Sequence, residues 1–398
     1  MLFQVAKIAF PFLTLPYLTR VLTVDSYGVV SYVKNIMNYM QIFVDFGFVL
    51  SATKDIVKCI DNKKDIEYII GDTMIARIFL GIIGFFIVIV LALFLPILSN
   101  NFLFTILSYV VIFESIFLMD FLFRGLQKMH VIAIRFIVMK TISTVLTFVL
   151  IKNNDMLLLI PILDIISSTI AVFLVFLEIK KLDYNFKFTS LKKGISALCE
   201  SFIYFLSSIA STSFNAFSTI VIGVILTSTE VAYWSVCMQI IGSITACYNP
   251  IADSLYPEMI KNKNFSLIEK ALKIFMPIII IGCIISYFFA DTGLYILGGE
   301  KYVSATPVFI LLIPVLFFGF LSVLFGWPTL GAIDKAKDVT KSTVTSTILH
   351  ILILMFLIFT NRFTLINIAI ARTLTEVMLF TIRFANYHRY KNLFNYNI

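Results

Sequence analysis

The chain has 398 residues, of which 60% are hydrophobic and only 14% charged, and its net charge is +8. A soluble globular chain is about 45–50% apolar and about 25% charged, so this composition excludes a soluble protein. Basic loops of a membrane protein explain the positive charge without a nucleic-acid partner. The five cysteines form no CxxC pair and give no sign of a disulfide or metal framework.

Apolar segments recur along the whole chain, each long enough to cross a bilayer as a helix of about 20 residues. We predict spans at residues 2–19, 28–50, 74–98, 102–123, 131–151, 156–177, 202–226, 231–252, 272–297, 305–326, 341–360 and 364–386. The predicted fold class is therefore an all-α polytopic membrane protein with about 12 transmembrane helices.

Lysine and arginine are unevenly divided between alternate loops, with 22 of the 31 in one set and 4 in the other. Because basic loops stay in the cytoplasm, this bias predicts that both termini are cytoplasmic. Arg135 and Arg383 are counted here with the basic loops. Arg77, beside Asp72, is expected to extend its side chain to the cytoplasmic interface.

The longest hydrophilic link, residues 181–201, predicts a division into two six-helix lobes, 1–180 and 202–398. The first span of one half is followed by VLTVDSYGVVS, and the first span of the other by ILTSTEVAYWS. Both segments contain Leu-Thr, an acid, an aromatic residue and a serine. They predict a parallel repeat, a common plan among transporters, and the alternative is chance similarity between two turns.

Several longer motifs resemble one family. They are PFLTLPYLTRVL, the YG that follows and DFGF with LSATKDI in the first half, and ESFIYFLSSIASTSFNAFSTIVIG, EVAYWS and LYPEM in the second. Together they resemble the Wzx-type O-antigen flippases, in the polysaccharide branch of the multidrug/oligosaccharidyl-lipid/polysaccharide exporter superfamily. The resemblance implies a V-shaped pair of six-helix lobes that opens to alternate sides of the membrane.

The resemblance also implies a function. Such a protein moves undecaprenyl-pyrophosphate-linked repeat units of O-antigen or capsule from the cytoplasmic to the periplasmic leaflet of the bacterial inner membrane. The implied partners are this lipid-linked substrate, membrane lipids, a proton or sodium as coupling ion, and a polysaccharide polymerase with a chain-length regulator. Arg20 and Asp25, on either side of the first outer turn, become a candidate gate, and the alternative is a charged loop among lipid headgroups.

A pyrophosphate cannot cross hydrocarbon unpaired, so cations inside the spans are candidates for binding it. These cations are Lys7, Lys34, Lys140 and Arg372. The alternative is a set of structural ion pairs within the membrane. Its members would be Lys34 with Asp45, Lys140 with Glu114, and Arg372 with Glu376 one helical turn later.

Carboxyl groups inside a bilayer can take up and release protons, and so can couple transport to an ion gradient. The candidates are Asp45, Glu114, Asp164 and Glu376. Asp164 stands alone among isoleucine and leucine without a local partner, which makes it the first choice. Asp120 is expected to pair with Arg124, four residues later.

Polar side chains recur every four residues along the seventh span, at Ser207, Ser211, Asn215 and Thr219. This spacing predicts one polar stripe on a helix. The stripe would either face the glycan or allow close helix packing. The chain has no Walker A, GxGxxG or HExxH motif, so we expect no cofactor, no metal and no enzymatic activity.

Two other functions remain open from the sequence. A cation-coupled multidrug-type antiporter of the same superfamily predicts an acidic cavity, whereas the isolated lysines favour an anionic cargo. A membrane polysaccharide polymerase resembles this chain in hydropathy but carries a large extracytoplasmic loop with catalytic residues. All the outer links here are short.

Overall fold

The computed structural model describes the backbone of residues 2–187 and 191–394. Its description of side chains leaves out residues 2–5, 7, 8, 191–197, 200, 203, 207, 210, 211, 214 and 215. The described backbone is predominantly helical, which confirms the predicted all-α fold class. A helix bonds its own backbone groups internally, and hydrocarbon offers those groups no other partner.

The first half of the chain consists of helices joined mostly by short links. They are α1 (Leu2–Val21), α2 (Val24–Asp45), α3 (Phe48–Lys58), α4 (Lys63–Phe94), α5 (Pro96–Asn100), α6 (Phe102–Glu114), α7 (Asp120–Gly125), α8 (Met129–Leu150) and α9 (Leu159–Lys181). A 3-10 turn, Ser115–Leu118, connects α6 to α7.

The second half has the same character. Its helices are α10 (Leu191–Ile225), α11 (Ser228–Ala246), α12 (Tyr248–Asn262), α13 (Ser266–Phe288), α14 (Ala290–Gly298), α15 (Thr306–Leu324), α16 (Ala336–Phe359) and α17 (Leu365–Arg389). A π-helical turn, Phe325–Leu330, follows α15.

Each predicted span falls on one of these helices or on two consecutive ones. Within the described residues, nine helices are long and apolar enough to cross a membrane. The chain is therefore a multi-pass membrane protein, and the total of twelve spans stays a prediction.

The chain packs as two compact units. The first contains residues 1–212 and 223–229, and the second contains residues 213–222 and 230–398. Helix α10 belongs partly to each unit, and the predicted start of the second lobe, residue 202, lies within this helix.

The first turns of the two halves have the same form. Helix α1 ends at Val21 and α2 begins at Val24, and likewise α10 ends at Ile225 and α11 begins at Ser228. In both turns a Leu-Thr pair links the helices, and the Thr23 side chain caps α2 by accepting a hydrogen bond from the Ser26 amide. The similarity extends the sequence match that predicted a parallel repeat.

The predicted span 28–50 is not one continuous helix. Helix α2 stops at Asp45, because Phe46 and Gly47 adopt left-handed backbone angles with φ of 41° and 80°. Gly47 suits this position, since a Cβ there would lie 2.6 Å from the Cβ of Tyr204. The next helix, α3, packs against α7, where Thr53 donates a hydrogen bond to the Phe121 carbonyl at 3.1 Å.

The corresponding helices of the second half are also interrupted. Helix α11 gives way to α12 at Cys247, and α15 ends in the π turn, where Gly326 has non-helical angles. Helix α12 packs against this turn, with the rings of Tyr256 and Trp327 in edge contact. The second and fourth spans of each half are thus broken, and their terminal segments pack together in pairs.

The first part of the predicted linker 181–201 is anchored to the start of α4. The ammonium group of Lys187 binds the Glu67 carboxylate at 2.6 Å, and the Asn185 amide donates to the same carboxylate at 3.0 Å. The hydrogen bond between the Lys187 ammonium group and the Glu67 carboxylate raises the pKa of Lys187. Residues 188–190 lie outside the described backbone, and α10 begins at Leu191.

Candidate functional site

One cluster combines charged side chains from α2, α8 and α9 in the first unit. Ser143 on α8 donates a hydrogen bond to Oδ1 of Asp164 on α9 at 2.6 Å. The Asp164 carboxylate interacts electrostatically with Lys140 on α8 and Lys34 on α2. Lys34 is exposed, whereas Lys140 and Asp164 are half-buried. The cluster brings together two lysines and one aspartate that the sequence singled out separately.

The two ammonium groups have no direct protein ligand among the described side chains. Neither Lys34 nor Lys140 forms an ion pair within 4.0 Å or donates a hydrogen bond there. Their interaction with Asp164 therefore acts over a longer distance than a direct ion pair. Intramembrane lysines normally pair with a carboxylate or a carbonyl, so two without a direct partner are unusual.

Close packing of α8 against α9 holds this cluster in register. Small or short polar side chains are buried on these helices, namely Ser143, Thr144 and Thr147 on α8 and Ser167, Ser168 and Ala171 on α9. Such residues allow helix backbones to approach each other in a membrane. Lys140 lies one turn from Ser143 on the same helix, so its position follows from this packing.

The structural ion pairs considered for these lysines are not formed. Asp45 accepts hydrogen bonds from Arg77 and Gln41, and Glu114 accepts one from Thr169 at 2.7 Å. That alternative is wrong for both lysines, because neither forms an ion pair with these carboxylates among the described side chains. The expectation that Asp164 lacks a partner is also wrong, because its partners come from neighbouring helices.

The prediction that Arg77 extends its side chain to the cytoplasmic interface is wrong. Its side chain is buried, and it binds Oδ1 of Asp45 at 2.5 Å and the Ile116 carbonyl at 3.2 Å. The 3-10 turn after α6 frees that carbonyl from regular helical bonding. Arg77 thus neutralises a carboxylate and satisfies a broken helix end with the same guanidinium.

Arg135 has a similar role. It forms an ion pair with Asp120 and donates to the Leu118 carbonyl at 2.6 Å. The predicted pairing of Asp120 with Arg124 is therefore wrong, and Arg135 is a buried helical residue rather than a loop cation. Asp120 and Arg124 both lie on α7, where their i,i+4 spacing is kept, but Asp120 is bound by Arg135 from α8 instead. Met119, just before α7, adopts a left-handed conformation with φ of 49°.

Arg372 and Glu376 form an ion pair on α17 at 2.7 Å, and both side chains are buried. This is the local pair that their spacing allows. Arg383, on the same helix, was counted with the loops but is buried within the second unit. Its guanidinium donates to the Ser322 carbonyl at 2.5 Å and to the hydroxyls of Ser342 and Thr343.

His350 is a buried polar residue that the sequence analysis did not select. Its Nε2 lies 2.8 Å from the Ser218 hydroxyl, and its Nδ1 lies 3.0 Å from the Thr375 hydroxyl. Thr375 donates its own proton to the Ala371 carbonyl, so its oxygen accepts from Nδ1–H and Nε2 accepts from Ser218. A histidine inside an apolar span was the available signal.

At the candidate gate, Asp25 in the first turn of α2 accepts a hydrogen bond from the Ser228 hydroxyl at the start of α11. The backbones are also close, since a Cβ on Gly28 would lie 1.8 Å from the Ser228 carbonyl oxygen. Arg20, in the last turn of α1, donates to the Pro16 carbonyl at 3.2 Å. The two matched turns of the repeat therefore touch each other within the first unit.

Some predicted site residues lie outside the described side chains. They are Lys7, Ser207, Ser211 and Asn215. Of the polar stripe on α10, Thr219 is described, and it is buried beside Ser218. The described residues contain no group of three histidine, cysteine, aspartate or glutamate side chains that could hold a metal ion.

Charged side chains held inside apolar helices are typical of polytopic membrane proteins that function within the bilayer. Comparison with known proteins defines the class of this chain as transporters and not enzymes. The chain belongs to the family described as "Polysaccharide biosynthesis protein", whose model matches residues 1–263. This match confirms the resemblance read from the sequence motifs.

Two curated relatives are similar to this chain. A putative O-antigen transporter of Escherichia coli (strain K12) is 25% identical, over 93% of this chain and 90% of the relative. A putative O-antigen transporter of Shigella dysenteriae is 26% identical, over 68% of each protein. The apolar helices and these relatives identify a multi-pass protein of the bacterial inner membrane.

Solved structures confirm the fold. The lipid II flippase MurJ in an inward closed conformation superposes with a TM-score of 0.74 at 16% identity, over 97% of this chain and 86% of that one. An inward-facing multidrug resistance MATE family transporter of the MOP superfamily gives a TM-score of 0.69 at 13% identity, over 98% and 95%. At these identities the similarity shows a common transporter fold.

Proposed function

We propose that this protein is a flippase for an undecaprenyl-pyrophosphate-linked repeat unit of O-antigen or capsule. It would move this lipid from the cytoplasmic to the periplasmic leaflet. The observation that carries the proposal is that Lys34 and Lys140, inside apolar helices, have no direct ligand among the described side chains. The relatives described as putative O-antigen transporters support the same class of cargo.

The chemistry of the cargo explains why such lysines are needed. Its polyprenyl tail can stay in the lipid, but its pyrophosphate is a dianion whose desolvation is prohibitive without compensating charge. A lysine at the centre of a membrane helix costs about 2.5–3.5 kcal/mol on insertion. A chain that keeps two of them without a direct partner gains a binding site for that dianion.

Arg372 and Lys7 are the remaining candidates for binding the pyrophosphate. Arg372 is already neutralised by Glu376, so we assign it a supporting role in the second unit. Lys7 lies on α1. Its contribution is tested by a separate alanine variant, alongside those of Lys34 and Lys140. The polar stripe Ser207, Ser211, Asn215 and Thr219 is proposed to face the glycan.

Alternating access would move the site between the two leaflets. With both termini in the cytoplasm, the turn between α1 and α2 faces the periplasm, and the hydrogen bond from Ser228 to Asp25 closes that side. Arg20 adds positive charge beside it. Opening this gate would require the two matched turns to separate.

The proposed coupling groups divide by their partners. Asp45 and Glu376 are each bound to a buried arginine, which favours a structural role. Glu114 and Asp164 accept hydrogen bonds from hydroxyl groups only. These two carboxyl groups are therefore the better candidates for exchanging a proton during transport, and sodium remains the other coupling ion.

The test is genetic complementation. A strain that makes the cognate repeat unit but lacks its flippase receives the wild type, Lys34→Ala or Lys140→Ala at equal membrane abundance. We expect wild type to restore surface glycan and each alanine variant to reduce it about tenfold or more, because losing a charged partner costs at least about 1.4 kcal/mol. Lys7→Ala is measured alongside.

Lys152→Ala is the matched control, because Lys152 is an exposed lysine that donates to the Phe148 carbonyl beside the link before α9. It should behave like wild type. Full rescue by Lys34→Ala and Lys140→Ala would remove the cationic-site argument. Failure of the wild type to rescue, in a strain with the complete glycan pathway, would contradict the flippase function.

A further inference from the structure

Asp164 is placed where the proposed pyrophosphate would bind. It shares the two lysines electrostatically, and Ser143 fixes its carboxylate by a hydrogen bond of 2.6 Å. Glu114 on α6 accepts a hydrogen bond from Thr169 on the same helix as Asp164. Without substrate, Asp164 is thus a carboxylate that can balance both Lys34 and Lys140.

Counting charges shows a conflict. Two ammonium groups and one carboxylate leave a net charge of about +1, while the phosphodiester groups of a sugar-linked pyrophosphate carry about −2. A carboxylate next to this dianion would face repulsion in a medium of low dielectric constant. Protonation of the carboxylate removes the repulsion and brings the site to about +2, which matches the dianion.

We propose that Asp164 and the substrate pyrophosphate compete for Lys34 and Lys140, so that one proton binds to the Asp164 carboxylate as the substrate binds. The inference rests on the proposed flippase function and deepens it. The proton comes from water in the opened site and forms an O–H bond on the carboxyl group. It returns to water when the pyrophosphate leaves and the carboxylate again neutralises the lysines.

The competition also accounts for substrate release. Two lysines alone would bind a dianion strongly on both sides of the membrane and would slow its departure. An internal carboxylate that takes the place of the pyrophosphate lowers the cost of release. Because linkage is reciprocal, a higher proton concentration favours substrate binding by the same factor that substrate favours proton binding.

The pH dependence of substrate binding also depends on the charged and polar groups that face Asp164. They are Lys140 and Ser143 from α8 and Lys34 from α2, and Glu114 faces α9 from α6 through Thr169. Replacing each carboxyl group separately distinguishes their contributions.

The experiment measures binding of undecaprenyl-pyrophospho-N-acetylglucosamine to the full-length protein in lipid nanodiscs. This probe is a pyrophosphate diester, so its own charge is constant between about pH 6 and about pH 8. We expect the wild-type Kd to rise with pH, by up to about tenfold per pH unit for one linked proton. Asp164→Asn should bind more tightly at about pH 8 and lose the pH dependence.

Asp155→Asn is the matched control, since Asp155 is exposed in the link before α9 and should retain the wild-type pH dependence. Ser143→Ala provides a second variant that keeps the carboxyl group. It removes the hydrogen bond that holds the carboxylate and should tighten binding at about pH 8, in the same direction as Asp164→Asn. Glu114→Gln removes the second coupling candidate, so the slope that remains in it is the contribution of Asp164.

Different results would refute the competition at Asp164 and the pyrophosphate site itself. If wild type binds the probe without pH dependence, or if Asp164→Asn keeps the full slope, the competition is refuted while the cationic site stands. A slope abolished by Glu114→Gln would also refute it. If Lys34→Ala and Lys140→Ala bind the probe as wild type does, the proposed pyrophosphate site itself fails.

Discussion

Removing Arg77 should destabilise the first unit strongly, because its partner Asp45 would remain in a largely buried position without a counter-charge. The ion pair is 2.5 Å long, and the side chain of Arg77 is 3% exposed. Breaking a buried pair by removing one partner costs about 3–5 kcal/mol. Arg77→Met also leaves the Ile116 carbonyl without its donor, which adds about 1–3 kcal/mol.

The assay is thermal unfolding of the purified protein in detergent, followed by loss of the monodisperse peak in gel filtration. For a unit of this size each kcal/mol shifts Tm by about 2–4 °C, so we expect a decrease of at least about 6 °C. The double variant Arg77→Met with Asp45→Leu should recover much of this loss, because replacing both charges of a buried pair is often neutral.

Lys63→Ala provides the comparison. Lys63 pairs with Asp183 at 2.6 Å, but both side chains are exposed, so the pair is worth about 0–1 kcal/mol. If Arg77→Met costs no more than Lys63→Ala, the buried pair does not carry the stability assigned to it. If the double variant loses as much stability as Arg77→Met and Asp45→Leu combined, the two residues are not coupled.

Two further predictions concern close contacts. Gly28→Ala should force α2 away from Ser228, because its Cβ would lie 1.8 Å from a backbone oxygen, and should lower surface glycan in the complementation assay. Gly242→Ala, where no atom lies within 4 Å of the added Cβ, should not, and equal transport by both would contradict the contact. Arg383→Lys should cost about 1–3 kcal/mol, because one ammonium cannot reproduce the planar fan of hydrogen bonds. The exposed Arg389→Lys should stay within about 0.5 kcal/mol in the same unfolding assay, and equal losses would refute the role of Arg383.

The sequence predicted the features that depend on local patterns. Long apolar runs predicted the helices, and the four-residue spacing of Arg372 and Glu376 allowed for their ion pair. The shared Leu-Thr motif predicted two similar turns, which the structure contains. Each of these depends on neighbours within one or two helical turns, which a single sequence displays directly.

The contacts that the sequence missed join distant parts of the chain. Arg77 and Asp45 are 32 residues apart, and Ser218 and His350 are 132 apart. Nothing in the local spacing of these residues identifies their partners. The i,i+4 expectation for Asp120 and Arg124 failed for the same reason, since Asp120 pairs with Arg135 on another helix, 15 residues away.

The buried arginines and the helix breaks are best understood together. Each interruption frees carbonyl groups that hydrocarbon cannot solvate. In the first unit Arg77 and Arg135 bind the carbonyls of Ile116 and Leu118, and in the second Arg383 binds that of Ser322.

Burying a guanidinium is costly. A continuous helix, which needs no arginine to bind its carbonyls, would therefore be more stable than a broken one. The breaks occur in the second and fourth spans of both halves, and in both halves a buried arginine reaches the broken fourth span. They therefore recur in the two halves of this chain and are not local irregularities.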